Sequence, residues 1–238
     1  MTRPRGAAEG LAEALAARGI AAVIEPLLTI EFIDAPPLDL GGVQAVLCTS
    51  ANGVRALARL SSERALRLFA VGDASAAEAR AEGFTRVASA GGNAGDLARL
   101  VCERLSPACG LLLHISGRDV AGDLDGRLRA KGFAVERVVL YEARPVTALS
   151  AATRAALAAR EVDVALFFSP RTAAIFAQLA AAAGVTEALS GVAAVSISAA
   201  ADTALGPLAF AARRIAARPD LSSLLAALEG LPQAWGGR

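Results

Sequence analysis

The chain has 238 residues with 24 basic and 23 acidic side chains, a net charge of +1, so it has no surplus of positive charge to hold nucleic acid or an anionic membrane surface. Hydrophobic residues make up 55% and charged residues 20%, which is enough apolar surface to offset chain entropy and excludes wholesale disorder. No run of about 18 uncharged apolar residues is present to cross a bilayer, and one histidine with three scattered cysteines argues against a bound transition metal.

In chain order, Arg3 and Arg5 precede an Ala/Leu stretch in the manner of a signal peptide, but Glu9, Glu13 and Arg18 interrupt it. The pattern instead predicts an amphipathic helix over 7–18, stopped by Gly19. A β-branched stretch, PLLTIEFI, follows at 26–33. Strands are expected at 43–48, 68–71 and 111–115, with helices at 52–60, 74–82, 95–105 and 120–131. A second long apolar stretch, RVVLYEA, covers 137–143. Beyond it come a helix over 150–160, a strand over 162–168, a helix over 172–183, a strand over 193–197 and a helix over 221–229. The strands lack polar alternation, which fits a parallel sheet buried under helices on both faces. Cys48, Cys102 and Cys109 form no CxxC and are odd in number, so they read as buried free thiols in a reducing, cytoplasmic compartment.

The pattern occurs twice. Leu15 to Ala21 matches Leu128 to Ala134, Val46 to Ser50 matches Leu166 to Pro170, Val71 to Ser75 matches Val195 to Ala199, and Asp96 to Leu100 matches Ser223 to Ala227. The spacing between mates grows in small steps, as insertions in loops produce. The stretches 26–33 and 137–143 sit at corresponding points of the two copies, and an antiparallel ribbon of the two would carry the chain between lobes. The working site is then expected in the cleft between those lobes.

In open parallel sheets, ligands bind beyond the carboxyl ends of the strands. Hydroxyls, amides and arginines stand at those places here: Thr2-Arg3, Thr49 to Asn52, Gly72 to Ser75, Ser116 to Arg118, Ser169 to Thr172 and Ser196 to Ser198. Such a row suits a multiply anionic ligand, although the same residue types are the preferred N-caps of any helix. His114 ends an apolar strand and reads as a packed histidine, so no Ser–His–Asp set is indicated. Gly91 to Gly95 fits neither a dinucleotide fingerprint nor a P-loop. Tyr141, the sole tyrosine, is either a general acid or an interfacial core aromatic.

Taken in order, TRP, TSANGVRAL, VGDASA, LLLHISGRD, VVLYEARP, FFSPRTAAIF and AVSIS with its following helix make the chain resemble uroporphyrinogen-III synthase over nearly its whole length. The resemblance implies an α/β fold of two flavodoxin-like lobes, each a small parallel sheet flanked by helices, joined by a two-stranded antiparallel β linker. One lobe would comprise 1–26 with 146–238 and the other 34–136, with linker strands at 27–33 and 137–145. It implies closure of the linear tetrapyrrole hydroxymethylbilane to uroporphyrinogen III, with loss of water and inversion of the D ring through a spiro intermediate, by a cytoplasmic monomer using no cofactor or metal. By the same resemblance Tyr141 assists departure of the hydroxyl. Thr49, Ser50, Ser75, Ser116, Gly117, Ser169 and Ser198 meet the substrate's carboxylates, and Arg3, Arg118 and Arg171 add charge-assisted bonds. The chain departs from the family pattern at Ser75, commonly threonine, at Ser196, commonly glycine, and before Thr2, where an apolar first strand is usual. Two rivals are a two-lobe small-molecule binding protein and a family member without catalysis.

Overall fold

The described residues are 1–2, 5–120 and 122–231 of a computed structural model, without the side chains of 5–7 and 9. They divide into two units, Ile30–Ala143 and Met1–Thr29 with the chain from Arg144 onward. The first helix, α1 (Arg5–Ala16), stops where Gly19 takes φ +74°, the left-handed conformation that costs glycine nothing. There the Gly19 N–H donates to the Ala16 carbonyl at 2.9 Å and the Ile20 N–H to Leu15 at 3.0 Å.

In the unit Ile30–Ala143, a six-stranded sheet is assembled from β1 (Leu28–Phe32), β2 (Val43–Cys48), β3 (Arg67–Ala70), β4 (Arg86–Ser89), β5 (Leu111–Gly117) and β6 (Val135–Pro145), with the ends of β1 and β6 running into the other unit. The order is β1-β6-β5-β2-β3-β4, and β2 through β6 pair in parallel. β1 joins antiparallel, since Leu27 pairs with Val146 while Ile33 pairs with Leu140. The second long apolar stretch is therefore more than a connector, because β6 also fills the place beside β5.

Alternation along the strands serves two cores. Val46 and Cys48 of β2 pack with Val54 and Leu57 of α2 (Ala51–Leu60) and with Ala76 and Ala79 of α3 (Asp73–Ala81). Ala45 and Leu47 pack on the opposite side with Leu97 and Val101 of α4 (Ala94–Arg104) and Leu124 and Leu128 of α5 (Leu124–Arg129). Each such leucine withdrawn from water contributes about 1.5–3 kcal/mol, so a strand that is apolar on both faces is anchored twice.

The other unit repeats the scheme with β7 (Val164–Phe167), β8 (Ala193–Ser196) and β9 (Ala212–Ile215), all parallel and in that order. Ala194 packs towards Leu157 of α6 (Ala151–Ala158) and Phe176 of α7 (Pro170–Ala182). Ala193 and Val195 pack towards Leu11 and Leu15 of α1 and Leu224 of α9 (Leu221–Glu229), while α8 (Ala199–Thr203) follows β8. Thr2 donates from both its N–H and its Oγ1 to the Leu166 carbonyl, so the first residues satisfy part of β7's open side. Glu25 is buried and accepts hydrogen bonds from the Ser150 N–H, the Ser150 hydroxyl and the Thr153 hydroxyl, fastening the start of α6.

Two expectations are corrected, and two strands are added to those expected. α5 is shorter than 120–131, because Gly122 turns the chain at φ +78° and Asp123 then caps the helix through the Gly126 N–H. Cys48 is buried but Cys102 and Cys109 are exposed: the buried stripe of α4 ends at Val101, and Cys109 closes a 3-10 turn, Pro107–Cys109, with no buried residue. β4 and β9 carry no clear apolar run, since each is an edge strand with one neighbour and tolerates Arg86, Arg213 and Arg214. Among the described residues no helix is long and apolar enough to cross a membrane.

Candidate functional site

The strand bearing Tyr141 is irregular at the decisive place. β5 and β6 pair residue for residue from Leu112↔Val135 to Ser116↔Val139, and then Gly117 faces Tyr141. Leu140 is thus an extra residue on β6, a bulge. Consecutive residues of a regular strand point to opposite faces, yet Leu140 and Tyr141 are both buried in the core shared with α2 and α3. The bulge is what turns the phenol to that side.

Three neighbours define the phenol's seat. A side chain at Gly117 would bring its Cβ to 2.7 Å from the Tyr141 ring, so the close approach requires glycine. Ser50 follows β2 and caps α2, accepting the Gly53 N–H at 3.2 Å, and its Oγ lies 2.7 Å from Tyr141 Oη. The Arg118 N–H donates to the Tyr141 carbonyl at 2.9 Å. A cavity of about 460 Å³ opens here, lined among others by Thr49, Ser50, Asn93, Gly95, Arg127 and Tyr141. A phenol and a hydroxyl hydrogen-bonded beside an open volume form a pair able to donate to a leaving oxygen or to hold one.

The other predicted residues of this unit divide by geometry. Thr49 is half-buried beside Ser50 in the cavity wall. Ser75 lies buried in the first turn of α3. Ser116 is wholly buried, its Oγ accepting from Arg137 Nε at 2.8 Å, so its hydroxyl is turned to the protein. Arg118 is exposed and its Nε donates to Glu142 at 2.8 Å, which offsets part of its charge. His114 packs as expected: its Nδ1 lies 2.6 Å from Asp125, and burial pushes its pKa below the usual range despite that carboxylate.

In the other unit Ser169 caps α7 through the Thr172 N–H at 3.1 Å and lies 2.9 Å from the Thr172 hydroxyl, while Ser198 caps α8 through the Ala201 N–H at 3.3 Å. The register Phe167↔Ser196 brings these serines to matching positions past adjacent strands. Arg171 stands exposed in the first turn of α7. Arg3 lies outside the described residues.

Sequence reasoning did not single out Asn93, Gly95, Arg127 or Arg137. The first two belong to the glycine-rich loop, in which Gly91 is left-handed and whose end is a capping box: Asn93 accepts the Gly95 and Asp96 N–H groups, and Asp96 accepts the Asn93 N–H. That last bond holds the Asp96 carboxyl below its ordinary pKa. Arg137 had a signal, an arginine directly leading into the apolar run Val138 to Tyr141, where a half-buried guanidinium calls for acceptors.

A family model described as uroporphyrinogen-III synthase HemD matches residues 9–226. No curated protein matches the chain. Among solved structures, the uroporphyrinogen-III synthetase of Helicobacter pylori 26695 superposes with a TM-score of 0.61 at 19% identity, covering 88% of this chain and 92% of that one, a likeness of mixed α/β fold with mainly parallel strands. A mutant uroporphyrinogen III synthase of the extremely thermophilic bacterium Thermus thermophilus superposes with a TM-score of 0.48 at 20% identity, over 93% of each chain.

Proposed function

Because the chain belongs to the uroporphyrinogen-III synthase family and is an enzyme of tetrapyrrole synthesis, we propose that its Tyr141 assists ring closure of hydroxymethylbilane. In this reading the phenol donates to the departing hydroxyl, which leaves as water. The azafulvene-type cation left behind is attacked by the substituted carbon of ring D, giving a spiro intermediate. The spiro carbon's original bond to the bridge from ring C then breaks. The freed bridge carbon bonds to the unsubstituted carbon of ring D, so that the ring is turned over, and loss of the proton from that carbon restores the pyrrole. Free bilane closes unaided to the uninverted isomer, so the enzyme's main contribution is to hold one conformer.

The observation that carries the reading is the 2.7 Å contact between Ser50 and the sole tyrosine at the wall of the cavity. Thr49, Ser50, Ser75, Gly117, Ser169 and Ser198, with the turn at Ser116, are proposed to meet the acetate and propionate groups, with Arg3, Arg118 and Arg171 adding charge. The two units are read as the family's flavodoxin-like lobes, 1–26 with 146–238 and 34–136, linked by 27–33 and 137–145, in a cytoplasmic monomer. Incubation with freshly made hydroxymethylbilane tests the function: type III product is expected to dominate, and a ratio of type III to type I equal to that of substrate alone would overturn it.

A further inference from the structure

The bulge that aims Tyr141 has a fastening of its own. An extra residue in a strand leaves backbone groups out of step with the neighbouring ladder, and something else must hold them. The shift falls between Ser116 and Gly117 of β5, opposite the extra Leu140 of β6. Arg137 lies on β6, level with His114, and reaches along the ladder to them. Its Nε donates to Ser116 Oγ at 2.8 Å, and its Nη2 donates to the Gly117 carbonyl at 2.8 Å and the Arg118 carbonyl at 2.9 Å. One half-buried guanidinium thus binds three consecutive residues of the turn.

The middle one, Gly117, is the floor under the Tyr141 ring, and the third, Arg118, holds the Tyr141 carbonyl through its N–H. The planar fork of arginine suits this task, since it presents several fixed donors at once, and its bonds carry the extra strength of a charged donor. Shortening the side chain leaves two carbonyls and a buried hydroxyl without their partner, and the turn relaxes towards regular pairing. Regular pairing would set Leu140, not Tyr141, opposite Gly117.

We propose that Arg137, together with Ser116, is a positioning latch that pins the Ser116–Gly117–Arg118 turn and thereby the Tyr141 hydroxyl. This rests on the reading of Tyr141 given above. Arg137 touches no reacting atom and acts only through the tyrosine.

The single tyrosine makes the test direct, because protein labelled with ¹³C at tyrosine Cζ gives one resonance. Arg137→Ala is expected to shift or broaden that resonance and to lower kcat for type III formation about tenfold, with KM changed less than about twofold, as misplacement of a catalytic group does. Arg137→Lys, which keeps the charge but loses the fork, should recover part of the rate, and Ser116→Ala, which removes one of the three bonds, should cost less than Arg137→Ala. Added to Tyr141→Phe, Arg137→Ala should lower the rate less than about twofold further. An unmoved resonance in Arg137→Ala, or full multiplication of the two losses in the double variant, overturns the latch. Failure of Tyr141→Phe to slow turnover would instead remove the tyrosine from the mechanism, and the resonance would still decide whether Arg137 positions it.

Discussion

Ser50 and Tyr141 stand 91 residues apart in the chain, yet their hydroxyl oxygens lie 2.7 Å from each other. Ser50 holds this place because it is fixed from behind, capping α2 through the Gly53 N–H. Tyr141 reaches it because the bulge at Leu140 turns it to that side. Neither residue would make the contact from a regular strand and an uncapped helix.

Tyr141→Phe therefore removes the donor and keeps the ring. Type III formation should fall by one to two orders of magnitude, roughly the lower range for loss of a general acid, with the fold intact. Ser50→Ala should cost less in rate but about 1 kcal/mol in stability, because it deletes a helix cap as well. Turnover measured beside thermal melting separates the two: equal rate loss with no melting change in Ser50→Ala would contradict the double role.

Gly117→Ala tests the floor under the ring. A Cβ would sit 2.7 Å from Cε2 and 2.8 Å from Cζ of Tyr141, inside any permitted contact, and the ring is itself packed in the core. The phenol must then leave Ser50. Activity should drop as far as in Tyr141→Phe while far-ultraviolet circular dichroism stays unchanged, whereas a fully active Gly117→Ala would mean that the ring moves freely.

Much of the sheet was legible because burial on both faces leaves uninterrupted apolar runs such as Ala45 to Cys48 and Ala193 to Val195. Edge strands were not, since β4 and β9 need satisfy only one neighbour and admit arginines. The match of Gly19 to Gly132 reappears as a shared helix stop: the Gly132 N–H donates to Arg129 and the Phe133 N–H to Leu128, as at α1. Gly83 and Gly184 stop α3 and α7 in the same way, so this feature alone is weak proof of duplication. Of the site, Ser50 and Thr49 were visible as types at a strand end, and Tyr141 as the sole tyrosine within an apolar stretch. The bulge was not, because one extra leucine in an apolar strand changes facing without changing composition.

Arg127 brings a cation to the cavity wall, on the short helix that begins after Gly122. Arg127→Met keeps its stem and deletes its charge. If the cavity receives a substrate carboxylate, KM for hydroxymethylbilane should rise about tenfold, the value of one charge-assisted bond, with kcat retained. An unchanged KM would place that carboxylate elsewhere.

The three thiols should differ sharply towards a thiol reagent. Cys48 is fully buried and burial pushes its pKa up to about 12, so the reactive thiolate is scarce as well as inaccessible. Cys102 and Cys109 are exposed. Two thiols should titrate rapidly in the native protein and the third only on unfolding, and a third rapid thiol would mean that the β2 core opens under native conditions.

His114 makes folding sensitive to acid. Its pKa in the folded protein lies below the ordinary value because burial disfavours the charged ring; Asp125 opposes that shift and the nearby Arg137 adds to it. The unfolded chain, with a histidine near about 6.5, then binds more protons than the folded one. By linkage, stability from this residue is complete above about pH 6.5, declines as pH falls through the interval down to the lowered pKa, and levels off below it. His114→Asn keeps a donor towards Asp125 and cannot titrate. Its melting temperature, followed from about pH 7.5 downward, should fall less steeply than that of the unaltered protein in that interval. Parallel curves would show that the ring charges as readily when folded as when unfolded, and that Asp125 outweighs burial.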